Sequence, residues 1–166
     1  MKFDDDMKIK SLCRQTAESR AKNAVSLDQT YLERFKKAQE RDYPGALREI
    51  KNGRKESHWI WYIFPQLAEL GYSPTARYYG LSKKEAKAYI SDELLRNRLI
   101  EISEALLSLE SNDATEIMGY PDDLKLKSCM TLFMEIASEI SVFGKVLEKF
   151  FKGKKDEKTV ELLNNQ

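Results

Sequence analysis

Apolar residues recur along most of this chain at intervals of three and four, the spacing that lines one face of an α-helix. From Asp28 the pattern is tight: Asp28 can cap a helix in which Tyr31, Phe35 and Ala38 share a face. Asp42, Pro44 and Gly53 frame a second helix as cap, first-turn proline and terminating glycine, with Ala46, Leu47 and Ile50 inside. The segment SHWIWYIFPQL (57–67) is the most apolar of the chain, and periodicity alone does not separate a buried strand from a short buried helix there. Ser57 as N-cap and Pro65 as terminator favour the helix.

Ser73-Pro74 starts another short helix that Gly80 can end, and Ser82 with Glu85 forms a capping box for a helix through Ile90. Ser91 or Asp92 opens a longer one, with Leu94, Leu95, Leu99, Ile102, Leu106 and Leu109 as its apolar stripe. Asn112 and Asp113 cap a brief helix ended by Gly119, and Pro121-Asp122 starts the next, with Leu126, Met130, Phe133 and Ile136 facing inward. Val142, Val146, Leu147, Phe150 and Phe151 mark a further helix that Gly153 stops, and Asp156 caps the last turns around Val160, Leu162 and Leu163. No sustained polar/apolar alternation and no Asn-Gly or Asp-Gly hairpin signal interrupts this series. The pattern predicts an all-α, single multihelical domain over 28–166, whose short helices between 57 and 90 suit irregular, largely orthogonal packing rather than a four-helix bundle. Residues 1–27 mix both charge signs with weak periodicity and read as a loosely attached extension or a peripheral helix.

Composition agrees with a folded domain. The chain of 166 residues is 42% hydrophobic and holds seven Phe, two Trp and eight Tyr, enough apolar bulk for a core, which excludes disorder of the whole chain. Charge changes the picture more, because 28 Lys and Arg almost cancel 27 Asp and Glu. A net charge of +1 gives no global field that steers nucleic acid or an anionic membrane, so any basic patch has to be local. No window approaches the ~20 apolar residues of a membrane span, and MKFDDDMKIK lacks an apolar secretion-signal core, so the chain reads as cytoplasmic. Cys13 and Cys129 then read as reduced thiols, Cys129 as a buried and inert one. One histidine and no Cys-x-x-Cys pair leave no ordinary zinc site, and no cofactor is implied.

Candidate chemistry concentrates in Gly53-Arg54-Lys55-Glu56-Ser57-His58-Trp59-Ile60-Trp61. With Ser57 as a helix cap, the first-turn N–H groups, the positive end of the dipole, Arg54 and Lys55 would converge on one spot suited to phosphate or carboxylate. Trp59 and Trp61 would give a stacking face and His58 a proton donor or acceptor. A structural reading stands beside this one: Gly53 ends a helix, basic residues suit its C-terminus, the tryptophans are core, and His58 is a hydrogen-bonded structural histidine. Arg77, at a second capped helix start, can fork onto a phosphate or serve an internal salt bridge. Asp122 and Asp123 stabilise a helix N-terminus, and the same pair can divide acid and base roles or hold Mg²⁺.

GRKESHWIWYIFPQLAELGYS, PDDLKLKSCMTLF, RFKKAQ (34–39) and the closing FFKGKKDEKTVELL together resemble the uncharacterised, mainly bacterial family of domain of unknown function 1810, also grouped as Rv1873-like. The resemblance runs from about Tyr31 to Leu163 and implies an all-α fold, with no established reaction. Some members carry the label calpastatin, an inhibitor that is a disordered protein, a role against which this core-forming composition speaks. The chain departs from the family pattern at Cys129, where serine is common, and at Ser91-Asp92-Glu93, which replaces a His-Pro-type turn.

The leading expectation is a protein that binds, and can hydrolyse, a small phosphorylated or nucleotide-like ligand between the 53–66 and 121–133 blocks. Arg54, Lys55, Ser57 and Arg77 would hold anionic groups, Trp59 and Trp61 would form a wall, and His58 or Asp122 would be the acid/base candidates. The alternative is a non-enzymatic protein-interaction module, which predicts an exposed apolar patch and no polar-lined pocket. Nucleic-acid binding comes third, since it needs a basic face that the net charge does not require.

Overall fold

In the computed structural model residues 31–166 are described, so the 1–27 extension, Cys13 and the Asp28 cap lie outside the described residues. The chain divides into two units, Met1–Arg34 and Phe35–Gln166, and the second carries everything that follows apart from the opening turn of the first helix. Among the described residues the regular structure is helical: α1 (31–51), α2 (Ile60–Ile63), a 3-10 turn (Ala68–Leu70), α3 (Pro74–Tyr78), α4 (Lys83–Ser91), α5 (Glu93–Leu107), α6 (Ala114–Met118), α7 (Asp122–Ile136), α8 (Val142–Phe151) and α9 (Glu157–Asn164). One isolated parallel bridge joins Leu67 and Leu81. The architecture is the all-α one that the periodicity predicts.

The caps explain most boundaries. Ser73 accepts from the Ala76 amide at the start of α3, Ser82 and Glu85 form a complete capping box on α4, and Asp92, Asp113 and Asp156 cap α5, α6 and α9. Each such cap contributes about 1 kcal/mol. Gly53, Gly119 and Gly153, which follow α1, α6 and α8, all have positive φ, the left-handed conformation that costs an L side chain energy.

Two elements differ from the sequence reading. The expected break at Asp42-Tyr43-Pro44 is absent, and α1 runs on through the proline to residue 51. Asp42 does not cap, because its carboxylate is taken by the Arg41 guanidinium at 3.0 Å and by the Tyr62 hydroxyl, which donates to it. Ser57 does not cap either: α2 is a single turn beginning at Ile60, with Trp59 at its cap position and no side-chain cap bond. In α5 the stripe holds at Leu95, Leu99, Ile102 and Leu106, whereas Leu94 is 43% exposed.

Helix α7 is the hub, packed by α2, α4, α6, α8 and α9, while α5 packs on α4 and α8. Leu126, Cys129, Met130, Leu132 and Phe133 of α7 are fully buried, and Asp123, Ser128 and Thr131 are buried beside them, so this helix is enclosed around most of its circumference. Burial pushes the Cys129 thiol well above its ordinary pKa and keeps it a neutral core group. A close approach fixes the 67–81 corner: a Cβ on Gly80 would lie 2.4 Å from Ala68 Cα, so the two backbones meet where no side chain fits. There the Ala68 amide donates to the Leu81 carbonyl and the Leu81 amide to the Gln66 carbonyl.

Candidate functional site

The 53–61 block hangs from the end of α1. Gly53 sits at φ 82°, its amide donates to the Ile50 carbonyl and the Arg54 amide donates to the Glu49 carbonyl, which is a Schellman ending. That ending turns the chain back so that the next backbone amides face the last turn of α1. The Glu49 carboxylate accepts from the amides of Glu56 and Ser57 and, at 3.3 Å, from the indole N–H of Trp59. Burial alone would raise the pKa of Glu49, but the Ser57 and Glu56 amides with the Trp59 indole outweigh it and hold the carboxyl below its ordinary 4.5. The donors that converge here are the loop amides of Glu56 and Ser57 and the Trp59 indole, rather than the Ser57-capped helix start with Arg54 and Lys55 that the sequence predicts, and an anion already fills the spot. That anion is the protein's own.

Lys55 is the second anchor. Its side chain is only 6% exposed, its ammonium lies 2.9 Å from Asp122 Oδ2 and 4.9 Å from the centre of the Trp59 ring, and it also donates to the Ser57 carbonyl. The Lys55 amide donates to the Ile117 carbonyl at 2.7 Å, so the strap after α1 is tied to α6 as well. Asp122, at the first position of α7, also faces Lys125 at 3.7 Å, and the Lys125 ammonium lies 5.2 Å from the centre of the Trp61 ring. Glu49, Trp59, Lys55, Asp122, Lys125 and Trp61 thus form one chain of alternating charges and rings that fastens the strap to the N-terminus of α7.

Beside this knot, Gly53, Arg54, Lys55, Thr115, Glu116, Ile117 and Gly119 line a cleft of about 370 Å³. Arg54 is exposed and has no ion pair among the described residues. Thr115 donates to Asp123 at 2.7 Å and Glu116 accepts from Ser111 at 2.7 Å. His58 and Ser57 are exposed and, like Asp122, lie outside that lining. Trp59 is 1% exposed and has no free face to offer a ligand; its ring is spent on Phe64 and Lys55. Trp61 is half-buried with its indole nitrogen unpartnered. Arg77 is exposed in the last turn of α3 and is not among the cleft residues. The structure accordingly brings Arg54 and Lys55 to one cleft, places Asp122 behind them, and leaves His58 and Arg77 elsewhere.

Glu49 is the residue the sequence reading passed over. One signal was present, since a glutamate in the last turn of a helix faces the negative end of the dipole and needs another reason to be there. Among the described residues no group of three or more His, Cys, Asp or Glu side chains could hold a metal, and no helix is long and apolar enough to cross a membrane.

A multihelical domain whose helix-end anion nest is closed by its own glutamate defines a class by architecture rather than by reaction. Residues 29–163 match the model of the protein of unknown function family DUF1810, and the chain belongs to that family. It is similar to the crystal structure of the conserved hypothetical protein Rv1873 from Mycobacterium tuberculosis, with 42% identity, a TM-score of 0.78, and coverage of 80% of this chain and 96% of that one. No curated protein matches the chain.

Proposed function

We propose that the cleft between the end of α1 and α6 binds a small phosphorylated or nucleotide-like ligand, with Arg54 as its anion contact. The observation that carries this reading is the unpaired, exposed Arg54 at a cleft whose other cation, Lys55, is already held by Asp122. A guanidinium presents a fork that matches two phosphate oxygens, and Glu116 beside it supplies acceptors for sugar hydroxyls. The cleft volume lies at the small end of the range for small-molecule sites. Binding is favoured over hydrolysis, because Asp122 is engaged by Lys55 and Lys125 and His58 is not among the lining residues.

Isothermal titration calorimetry with ADP-ribose, NAD and mononucleotides tests this. Arg54→Ala should weaken the best ligand about tenfold or more, the usual cost of losing a charge-assisted hydrogen bond, and His58→Ala should leave affinity unchanged. Absence of heat with every ligand, or an unaltered affinity in Arg54→Ala, would remove the reading. The second reading, a protein-interaction module, draws on Tyr72, Tyr78, Tyr120 and Leu124, which are 88%, 60%, 77% and 50% exposed.

A further inference from the structure

A concavity larger than the Arg54 cleft lies elsewhere, at the connection between α8 and α9. It has a volume of about 670 Å³ and is lined by Lys127 of α7, by the run Gly153-Lys154-Lys155-Asp156-Glu157-Lys158, and by no residue of the Arg54 cleft. We propose that this concavity is a binding site for a small polyanion carrying two or more phosphate groups.

Four lysines against Asp156 and Glu157 leave the lining an excess of two positive charges, more than the +1 of the entire chain. Glu135 and Glu161, the partners of Lys155 and Lys158, offset that excess, so the cations left to meet a ligand are Lys127 and Lys154. Two of the four ammonium groups have carboxylate partners: Lys155 lies 2.5 Å from Glu135, and Lys158 lies 3.9 Å from Glu161 in an exposed pair of adjacent turns, an arrangement worth little in water. Lys127 and Lys154 have no ion pair among the described residues, and the Lys127 ammonium is 5.9 Å from the centre of the Phe151 ring. Asp156 faces inward to structural work, since its carboxylate accepts from Ser128, from the Thr159 amide and from the Thr159 hydroxyl, while its own amide donates to Thr131. The frame is therefore fixed from α7 and α9, with Lys154 and Lys155 on the supported loop between Lys127 of α7 and Lys158 of α9.

Ligand class follows from charge type and shape. Lysine ammonium groups are compact, rotatable point charges that suit clustered phosphates. The cavity volume suits a small molecule. A single-stranded nucleic acid would call for aromatic stacking platforms along a basic track, and none of the exposed tyrosines, Tyr72, Tyr78 and Tyr120, is in the lining.

The test uses the full chain and sodium tripolyphosphate, titrated calorimetrically, with orthophosphate and a mixed-sequence DNA oligonucleotide as comparators. Tripolyphosphate should bind, orthophosphate at least about tenfold more weakly, and Lys127→Gln and Lys154→Gln should each cost about tenfold in affinity without moving the thermal midpoint. Arg54→Ala should leave this affinity unaltered, which separates the site from the cleft above. No binding of tripolyphosphate, equal affinity in the Lys127→Gln/Lys154→Gln double variant, or tighter binding of the oligonucleotide through these same lysines would overturn the proposal.

Discussion

Replacing Glu49 with alanine is expected to destabilise the domain by about 2–3 kcal/mol, measured by urea denaturation followed by circular dichroism. Three donors lose one charged acceptor: the amides of Glu56 and Ser57, and the indole N–H of Trp59, whose ring is buried and has little access to replacement water. A pH signature accompanies the loss. The folded-state pKa of Glu49 lies below its ordinary 4.5, so its contribution is complete above the unfolded value and disappears as pH falls through the folded one. Glu49→Gln should therefore flatten the acid limb of the stability curve. A residual slope should persist from Asp42, lowered by the Arg41 hydrogen bond against burial, and from Asp92, where burial is outweighed by Lys36 and by the α5 cap. An emptied nest should also accept an anion from solution, so acetate or phosphate should stabilise Glu49→Ala more than it stabilises the parent. A stability change under about 0.5 kcal/mol, or no rescue by either anion, would show that the nest does not depend on the carboxylate.

Gly80→Ala is expected to be comparably severe, at about 3 kcal/mol. The added methyl would lie 2.4 Å from Ala68 Cα and 2.6 Å from its Cβ, contacts that no side-chain rotation relieves because the first is to backbone. Relief requires the 3-10 turn and the strap before α4 to separate, which breaks the paired Ala68 and Leu81 amide bonds. Thermal denaturation of the variant checks this, and a midpoint equal to the parent's would mean that the corner opens freely. Gly53→Ala is a useful contrast, since nothing lies within 4 Å of its added Cβ and only the φ of 82° opposes it, a cost nearer 1 kcal/mol.

What was legible in the sequence was local. Ser73, Ser82 with Glu85, Asp92, Asp113 and Asp156 act within four residues of themselves, so spacing alone located five helix starts. Gly53, Gly119 and Gly153 likewise advertise left-handed backbone. Pro44 misled because proline inside a helix removes one hydrogen bond without fixing whether the surrounding packing tolerates the gap; Ala46 and Ile50 on one side and Phe35 and Ala38 on the other are all buried, and their packing carries α1 through. Ser57 misled for a different reason. Its own amide and that of Glu56 are taken by Glu49, eight residues upstream, the helix begins only at Ile60, and no local rule registers a partner delivered by the end of another helix. Arg54 and Lys55 illustrate the same boundary: their chemistry is readable from residue type, but only the fold decides that Lys55 is spent on Asp122 and Arg54 is not.

The two tryptophans, separated by one residue, stand on opposite sides of that division, and this gives the molecule a built-in optical label. Trp59, sealed from solvent between Glu49 and the Lys55 ammonium, should emit at the blue edge and be closed to collisional quenchers. Trp61, half-buried under Lys125, should emit further to the red and be open to them. The steady-state spectrum is then a sum of two colours: the blue one reports on the closed nest, and the red one reports on the surface where the strap meets α7.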